Sequence, residues 1–269
     1  TCWVVHDRCQ VDRSLESDRP LRRVVTLCNT ETPGLAGSRN TGVAAGSAPY
    51  VAFCDDDDLW RADKVARQVA LLETEEAASM NTAVTGVAVH YEGRTVERIP
   101  SAAELTIAEL ARRRVMAAHP STVLVRRSAL RESIGPFDEA IPGGYGEDYD
   151  WMLRAVASGP VGVLEEALVD VRWGSSQFSR EWQTIVDALS YLTHKHPALC
   201  SDRRAAGRLQ GQQAFATAAQ HRKGAAGAIA RTLNLAPTEP RAYLAAAVAL
   251  HLVSADRVLH AVNRHGHGI

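Results

Sequence analysis

The chain has 269 residues, of which 46% are hydrophobic and 23% are charged, and its formal net charge is -1. This composition is ordinary for one large or two small globular domains, and the near-zero charge argues against a nucleic-acid-binding protein, which usually carries a basic stripe. No apolar run approaches the ~20 residues that a membrane-spanning helix needs, and no signal peptide is visible.

Short, β-branched apolar runs alternate with amphipathic patterns over the first two-thirds of the chain. The runs are nearly unbroken, which is typical of strands that are covered on both faces of a mostly parallel sheet. They cover residues 3–5, 24–28, 50–54, 83–89 and 122–125. Helices are predicted between and after them, from residue 62 to about 72, over 102–113 and over 147–157. This order predicts a Rossmann-like α/β fold, with a mostly parallel central sheet and flanking helices.

After about residue 179 the chain becomes rich in alanine and its predicted elements are all helical. The helices cover residues 180–193, 204–222, 225–235 and 241 to about 263. Part of this stretch looks like a tetratricopeptide-type helical hairpin, although no second clear copy of the repeat follows. We therefore predict a first region over 1–178 and an α-helical C-terminal region over 179–269. Residues 243–253 are apolar enough to lie on a membrane or a protein partner, or else to pack within the helical bundle.

The five cysteines are widely scattered and show no C-x-x-C spacing. This pattern argues against a disulfide framework and against a structural zinc site. Free thiols are typical of a reducing compartment, so we expect a cytoplasmic protein, with association at the cytoplasmic face of a membrane left open.

Four consecutive aspartates at residues 55–58 directly follow the predicted strand at 50–54. Ligands of open α/β sheets bind at the carboxyl ends of strands, and adjacent carboxylates 4 Å apart repel by about 4 kcal/mol near a protein surface. A divalent cation would offset that repulsion, and Mg²⁺ and Mn²⁺ prefer oxygen ligands. In an extended segment, Asp55 and Asp57 would face one side and Asp56 and Asp58 the other. The alternative is a solvated acidic loop that favours the start of the next helix.

Two further segments have the composition of a binding site. GLAGSRNTG at residues 34–42 starts a helix that carries Arg39, whose guanidinium could bind phosphate in a bidentate fork or simply lie on the surface. GGYGEDYDW at residues 143–151 is a glycine-rich loop that leads into Glu147 and Asp148. A carboxylate there could serve as a general base, or it could only cap the helix.

In chain order, these segments resemble the family 2 glycosyltransferases with the glycosyltransferase-A fold, over roughly residues 3–175. The resemblance rests on VVHD, GLAGSRNTG, YVAFCDDDDLW, HPSTVLVRRSAL with GPFDE, GEDYDW and VRW. It implies transfer of a sugar from a nucleotide-diphosphate sugar to an acceptor hydroxyl, with inversion and with Mn²⁺ or Mg²⁺ as the cofactor. The implied acceptor is a saccharide, a lipid-linked molecule or another small molecule, and the C-terminal helices could contact a membrane or a protein.

The same resemblance implies a role for each matching residue. Asp148 corresponds to the catalytic base, while Asp57 and Asp55 correspond to a metal-binding D-x-D motif in which Asp55 lies nearer the ribose. The residues implied in nucleotide-sugar binding are Asp7, Arg39, Asp55, Asp56 and Arg172. The residues expected near the acceptor are Gly144 in a possible flap, Glu147 and Trp151. For Trp60 and Trp151, stacking on a sugar or base and ordinary packing are both open.

One departure and two rival functions accompany this interpretation. Family members normally begin with a strand-turn-helix unit that this sequence lacks before Thr1, so we expect a fragment or a trimmed N-terminus. A sugar nucleotidyltransferase would need a similar metal and nucleotide, but also a glycine- and arginine-rich loop near its start that is not seen here. A glycosyltransferase-like binding module without turnover is the second rival.

Overall fold

A computed structural model describes residues 1–91, 93–113, 115, 119–172 and 181–263. A three-stranded sheet opens the chain, in the order β1-β3-β2, with β3 in the centre. Its strands are β1 (Cys2–His6), β2 (Ser17–Arg19) and β3 (Arg22–Cys28). β1 runs parallel to β3, and helix α1 (Leu35–Ala45) packs against β1. The carboxyl ends of β1 and β3 therefore meet at one edge of this sheet.

A six-stranded sheet follows in the order β4-β8-β6-β9-β5, with β7 paired to β6. Its strands are β4 (Tyr50–Ala52), β5 (Leu59–Trp60), β6 (Thr82–Tyr91), β7 (Arg94–Arg98), β8 (Leu124–Arg126) and β9 (Val161–Arg172). Only β6 and β9 are parallel, and the other described pairs in this sheet are antiparallel. The predicted α/β class is confirmed, but the sheet is mixed and not mostly parallel. Continuous apolar runs such as Val123–Val125 are buried on both faces in an antiparallel strand as well.

Among the described residues, four α-helices lie between strands β5 and β9 along the chain. Helix α2 (Lys64–Leu72) and helix α5 (Glu147–Ala157) match their predicted positions, and α3 (Ile107–Arg112) is shorter than predicted. Thr106 caps α3 by accepting the Glu109 N–H, which separates it from a short 3-10 turn at Ala102–Glu104. A short helix α4 (Arg127–Ala129) continues into a π-helical turn at Leu130–Ile134.

Five helices make up the C-terminal region in the described residues: α6 (Trp182–Lys195), α7 (Arg203–Ala219), α8 (Ala225–Leu235), α9 (Pro240–Ala249) and α10 (Ala255–Asn263). The single helix predicted from residue 241 to 263 is wrong, because the chain turns between α9 and α10, where His251 adopts a left-handed φ of 59°. Helix α7 packs against α6, α8 and α9. One hydrophobic cluster joins Phe53 and Trp151 to Leu189 of α6 and Leu209 of α7, so the C-terminal helices share a core with the sheet region. None of the described helices has the length and hydropathy that crossing a bilayer requires.

Candidate active site

The four aspartates form a tight turn between β4 and β5. The Asp58 N–H donates to the Asp55 carbonyl at 3.2 Å, and Asp56 and Asp57 lie exposed at the tip. The alternation predicted for an extended segment is therefore wrong, because the turn brings the first and fourth aspartates to the same side. The Asp58 side chain is 1% exposed, and burial raises its pKa, although the neighbouring Ser121 and His119 oppose that rise.

His119 and Ser121 close the base of this turn. Ser121 Oγ donates to Asp58 Oδ2 at 2.5 Å and accepts the Asp55 N–H at 3.0 Å. His119 lies between the same two carboxylates, with Nε2 3.7 Å from Asp55 Oδ2 and Nδ1 3.4 Å from Asp58 Oδ2. Potential ligand atoms of Asp55, Asp58 and His119 all lie within 4.8 Å of one another. Among the described residues, this cluster has the geometry to hold a metal ion.

Polar side chains that are largely buried pack against the segment that holds Ser121, next to the turn of four aspartates. Lys64 is 0% exposed, with Nζ 4.2 Å from the centroid of the Trp60 ring and donating to Gln68 Oε1 at 2.8 Å. Trp60 Nε1 donates to the Ser121 carbonyl at 2.8 Å, and Gln68 Nε2 donates to the Thr122 carbonyl at 2.8 Å. Burial lowers the pKa of Lys64 to about 7. Trp60 therefore has a structural role here, in which it fixes the position of Ser121.

Arg39 of α1 connects the acidic turn with α5. Its guanidinium donates to Asp55 Oδ1 at 2.6 Å and to Glu147 Oε1. The Arg39 side chain is 9% exposed, and its charged plane lies 5.2 Å from the centroid of the Phe137 ring. Burial would lower the pKa of Arg39, but Glu147 and Asp55 raise it above its ordinary value. Three segments that the sequence analysis singled out thus meet at one guanidinium.

Glu147 and Asp148 begin α5 directly after Gly146, which takes a left-handed φ of 81°. The N-cap residue is Gly146, so no side chain caps the helix from that position. Glu147 is 3% exposed, and burial raises its pKa to about 7 against the opposing charge of Arg39. Its Oε2 atom is buried without a hydrogen-bond partner among the described residues. Asp148 is half-buried, and its Oδ1 accepts the Tyr149 N–H at 2.8 Å.

Asp7 lies at the carboxyl end of β1, beside the end of β3. Asn29 Nδ2 donates to Asp7 Oδ1 at 2.8 Å, and Asn29 Oδ1 accepts from Thr41 Oγ1 in α1 at 2.9 Å. Asn29 therefore links Asp7 to α1, the helix that contains Arg39. Arg172 is the last described residue of β9, two positions beyond Asp170, which pairs with Leu59 of β5. β9 therefore ends alongside the acidic turn.

The residues expected near the acceptor have different environments. Gly144 belongs to a short 3-10 turn, Pro142–Gly144, that immediately precedes α5 and contacts α6. Trp151 is 2% exposed and stacks on Phe137, with ring centroids 5.6 Å apart. The Trp151 ring, on the fifth residue of α5, packs in the hydrophobic core, which favours a packing role over contact with the acceptor.

Several residues of the site were not predicted from the sequence. They are Asn29, His119, Ser121 and Glu139, and Glu139 accepts from Asn40 at 2.6 Å and from the Thr32 N–H at 2.9 Å. His119 and Ser121 belong to the HPST segment that was noted only as part of a motif. A histidine and a hydroxyl directly before a buried strand were the available signal.

The sequence and fold have known relatives. A family described as Glycosyltransferase like family 2 matches residues 19–179, more than half of the chain. The chain is 35% identical over 54 residues to UDP-Glc:alpha-D-GlcNAc-diphosphoundecaprenol beta-1,3-glucosyltransferase WfaP of Escherichia coli, which covers 20% of this chain and 22% of the relative. It is 32% identical over 172 residues to succinoglycan biosynthesis protein ExoO of Rhizobium meliloti (strain 1021), which covers 58% of this chain and 47% of the relative. The matches thus span from about a fifth to about half of these relatives.

The fold is shared with a solved structure, S. aureus TarS 1-349 in complex with UDP-GlcNAc. The TM-score is 0.51 at 15% sequence identity, and the match covers 91% of this chain and 76% of that chain. This likeness agrees with the predicted glycosyltransferase-A architecture of a mixed sheet with flanking helices.

Proposed function

The chain belongs to the family 2 glycosyltransferases, and on this basis we propose that it transfers a sugar from a nucleotide-diphosphate sugar to an acceptor hydroxyl, with inversion at the anomeric carbon. The observation that carries this proposal is the double contact of Arg39 with Asp55 and Glu147. It brings the proposed phosphate-binding arginine, the acidic turn and the proposed base-bearing helix into one site.

The residues of the acidic turn fit a divalent cation. Carboxylate oxygens are the ligands that Mg²⁺ and Mn²⁺ prefer, and Asp55 can contribute to either of two ligand sets. One set adds Asp58 and His119, whose potential ligand atoms cluster with those of Asp55. The other adds Asp57, which is exposed at the tip of the turn, whereas Asp58 already accepts from Ser121. We propose Asp55 and Asp57, because an ion that arrives with the diphosphate needs accessible carboxylates.

A cation at this site would neutralise charge on the departing diphosphate, which is worth several kcal/mol of transition-state stabilisation. Asp148 takes the proton of the acceptor hydroxyl while the hydroxyl oxygen forms a bond to the anomeric carbon. The bond from that carbon to the diphosphate oxygen breaks on the opposite face, and the nucleoside diphosphate leaves. A positioned base typically contributes roughly 10²- to 10⁴-fold to such a rate.

The remaining site residues are proposed to bind the sugar donor. Asp7 would contact the base or ribose, Asp55 the ribose, and Arg172 the diphosphate, with Asp56 at the tip of the same turn. Their support is their position: Asp7 ends β1 next to Asn29, and β9 ends beside the turn. Arg39 is proposed to lie near the diphosphate, where its guanidinium holds Asp55 and Glu147 in place.

UDP-glucose and a polyprenyl-diphosphate-linked sugar are the first sugar donor and acceptor to test. The relative WfaP is described as acting on these classes of molecule, although it matches this chain over only 54 residues. The five free cysteines support a cytoplasmic location for this reaction.

The experiment that tests the function measures release of nucleoside diphosphate from a panel of nucleotide sugars with Mn²⁺. Turnover of one nucleotide sugar, increased by an acceptor, is the expected result. If no nucleotide sugar is turned over but one binds, the chain is a binding module. A parallel incubation with nucleoside triphosphate and sugar phosphate tests the other rival function. If the chain joins these two molecules, it is a nucleotidyltransferase.

A further inference from the structure

Two turns that connect the C-terminal helices carry exposed side chains, which are leucines in one turn and basic residues in the other. Leu250 and Leu252, between α9 and α10, are 69% and 76% exposed. Arg222 and Lys223, between α7 and α8, are also exposed. Large aliphatic side chains at this exposure are unfavourable in water. Two of them in one turn form a local apolar patch, which is typical of an interaction site.

The two turns form one continuous surface. The rings of His221 and His251 stack with centroids 4.7 Å apart and planes 13° apart. Both histidines have left-handed φ angles, of 52° and 59°, and each lies two residues after the end of its helix, α7 or α9. We call this patch the leucine–basic surface; it consists of His221, Arg222, Lys223, Leu250, His251 and Leu252. Asp256 and Arg257 lie exposed at its edge and carry opposite charges, so the patch remains basic.

This surface adjoins the loop before α5 through the first turn of α6. Arg222 donates to Gln183, and a cavity of about 290 Å³ between the histidines and α6 is lined by Trp182. On the other side of the same turn, a Cβ on Gly143 would lie 2.2 Å from Thr184 Cγ2. One helical turn thus separates the leucine–basic surface from the loop that precedes Glu147.

We propose that the leucine–basic surface rests on an anionic phospholipid membrane. Exposed aliphatic side chains enter the boundary between headgroups and acyl chains, and Lys and Arg beside them attract anionic lipids. The protein lies on the membrane in this arrangement, and no helix crosses it. The consequence for the acceptor rests on the proposed function: a lipid-linked acceptor would reach the loop at residues 143–146 from the membrane side.

The test is sedimentation of the full chain with vesicles, in the absence of nucleotide sugar. We expect binding to vesicles that contain phosphatidylglycerol and much weaker binding to vesicles of phosphatidylcholine alone. Arg222→Gln with Lys223→Gln should weaken binding roughly 20- to 30-fold, since each basic residue near an anionic surface contributes about a fivefold factor. Leu250→Ser with Leu252→Ser should abolish binding. Equal binding to both vesicle types, or none to either, would overturn the proposal.

Leu21 provides the matched control. It is 104% exposed in the β2–β3 turn and has exposed arginines, Arg19 and Arg22, beside it. Leu21→Ser should leave vesicle binding unchanged; if it removes binding while the Leu250 and Leu252 changes do not, the membrane contact lies there and the proposal is wrong. Nucleotide-sugar turnover without vesicles should equal that of the wild type in all of these variants. A wild type that binds vesicles but turns over no nucleotide sugar would refute the proposed function and leave the membrane contact intact.

Discussion

Arg39 donates a hydrogen bond to Glu147, a carboxylate 108 residues further along the chain. The arginine side chain is 9% exposed and the glutamate side chain 4%. Because the same guanidinium also reaches Asp55, the position of α1 is tied to both the acidic turn and the start of α5. The geometry of the site therefore depends on the planar guanidinium of Arg39 and on its two carboxylate partners, Asp55 and Glu147.

The first prediction concerns this group. Arg39→Met should lower the free energy of unfolding by about 3–5 kcal/mol, because it leaves the buried Glu147 without its partner. Arg39→Lys should also be destabilising, since an ammonium cannot reproduce the planar fork that meets two carboxylates. Urea unfolding measures both effects. Arg61→Lys is the control, because its ion pair with Asp170 is 56% exposed on the arginine side and should change stability by less than about 1 kcal/mol. Equal stabilities for the Arg39 and Arg61 variants would contradict this account.

The second prediction separates the two metal ligand sets. In Asp57→Asn, nucleotide binding with Mn²⁺ should fall to the level seen with a chelator, because the accessible carboxylate is lost. Asp58→Asn should keep the dependence on Mn²⁺ and lower stability, because it disturbs the hydrogen bond with Ser121. Calorimetric titration of the nucleotide with and without Mn²⁺ distinguishes them, and Asp63→Asn, at an exposed position outside the turn, is the control. The opposite pattern would assign the ion to Asp58 and His119.

Much of the fold was predictable, because apolar runs and amphipathic spacing mark buried strands and helices. β9 was not predicted, since the exposed pair Glu165 and Glu166 interrupts its apolar run. The residues of a strand do not determine whether it pairs in parallel or antiparallel. Strand β8 is as apolar as a typical parallel strand, yet it pairs antiparallel with β4 and β6.

The candidate site was predictable in its segments but not in its contacts. The sequence indicated Arg39, the acidic run and Glu147 separately, and only the fold brings them together. The acidic run was interpreted as extended, whereas a turn joins Asp55 to Asp58. His119 and Ser121 were missed because their role depends on that turn, which lies more than 60 residues earlier in the chain.

The third prediction is a pH dependence of stability that comes from Lys64. Burial lowers its folded-state pKa to about 7 from the ordinary 10.5, so between these values the unfolded chain binds a proton that the folded chain does not. The contribution of Lys64 to the free energy of unfolding is therefore most favourable above pH 10.5, and it is lost as the pH falls towards 7. The total is about 5 kcal/mol, at about 1.4 kcal/mol per pKa unit.

Lys64→Met should remove that slope between pH 7 and 10, as measured by chemical unfolding at several pH values. The difference from the wild type cancels the contributions of groups that do not interact with Lys64. Cys54, whose pKa burial raises to about 11, does interact with it, because the charge of Lys64 lowers the pKa of the Cys54 thiol. Lys223→Met changes an exposed lysine and should leave the slope as it is. An unchanged slope in Lys64→Met would show that the buried lysine keeps its charge at neutral pH.

The fourth prediction concerns Asp150, which joins α5 to the end of α6. It is 0% exposed and contacts Arg154, Lys195 and His196 at 2.7–2.8 Å. Burial opposes its ionisation, but these partners hold its pKa below the ordinary value. Asp150→Asn should cost about 3–5 kcal/mol at neutral pH, because Arg154 and Lys195 lose a counter-charge and the contact with His196 is disturbed. Thermal unfolding measures this loss; Asp187→Asn, an exposed carboxylate of α6, should leave the melting temperature nearly unchanged.

The most direct test of the proposed mechanism is the rate of sugar transfer by Asp148→Asn. We expect a loss of roughly 10²- to 10⁴-fold in transfer rate, with nucleotide binding retained, because the amide cannot take the acceptor proton. Asp187→Asn is the matched change at an exposed position and should transfer at the wild-type rate. A wild-type rate in Asp148→Asn would contradict the assignment of the base and with it the proposed mechanism.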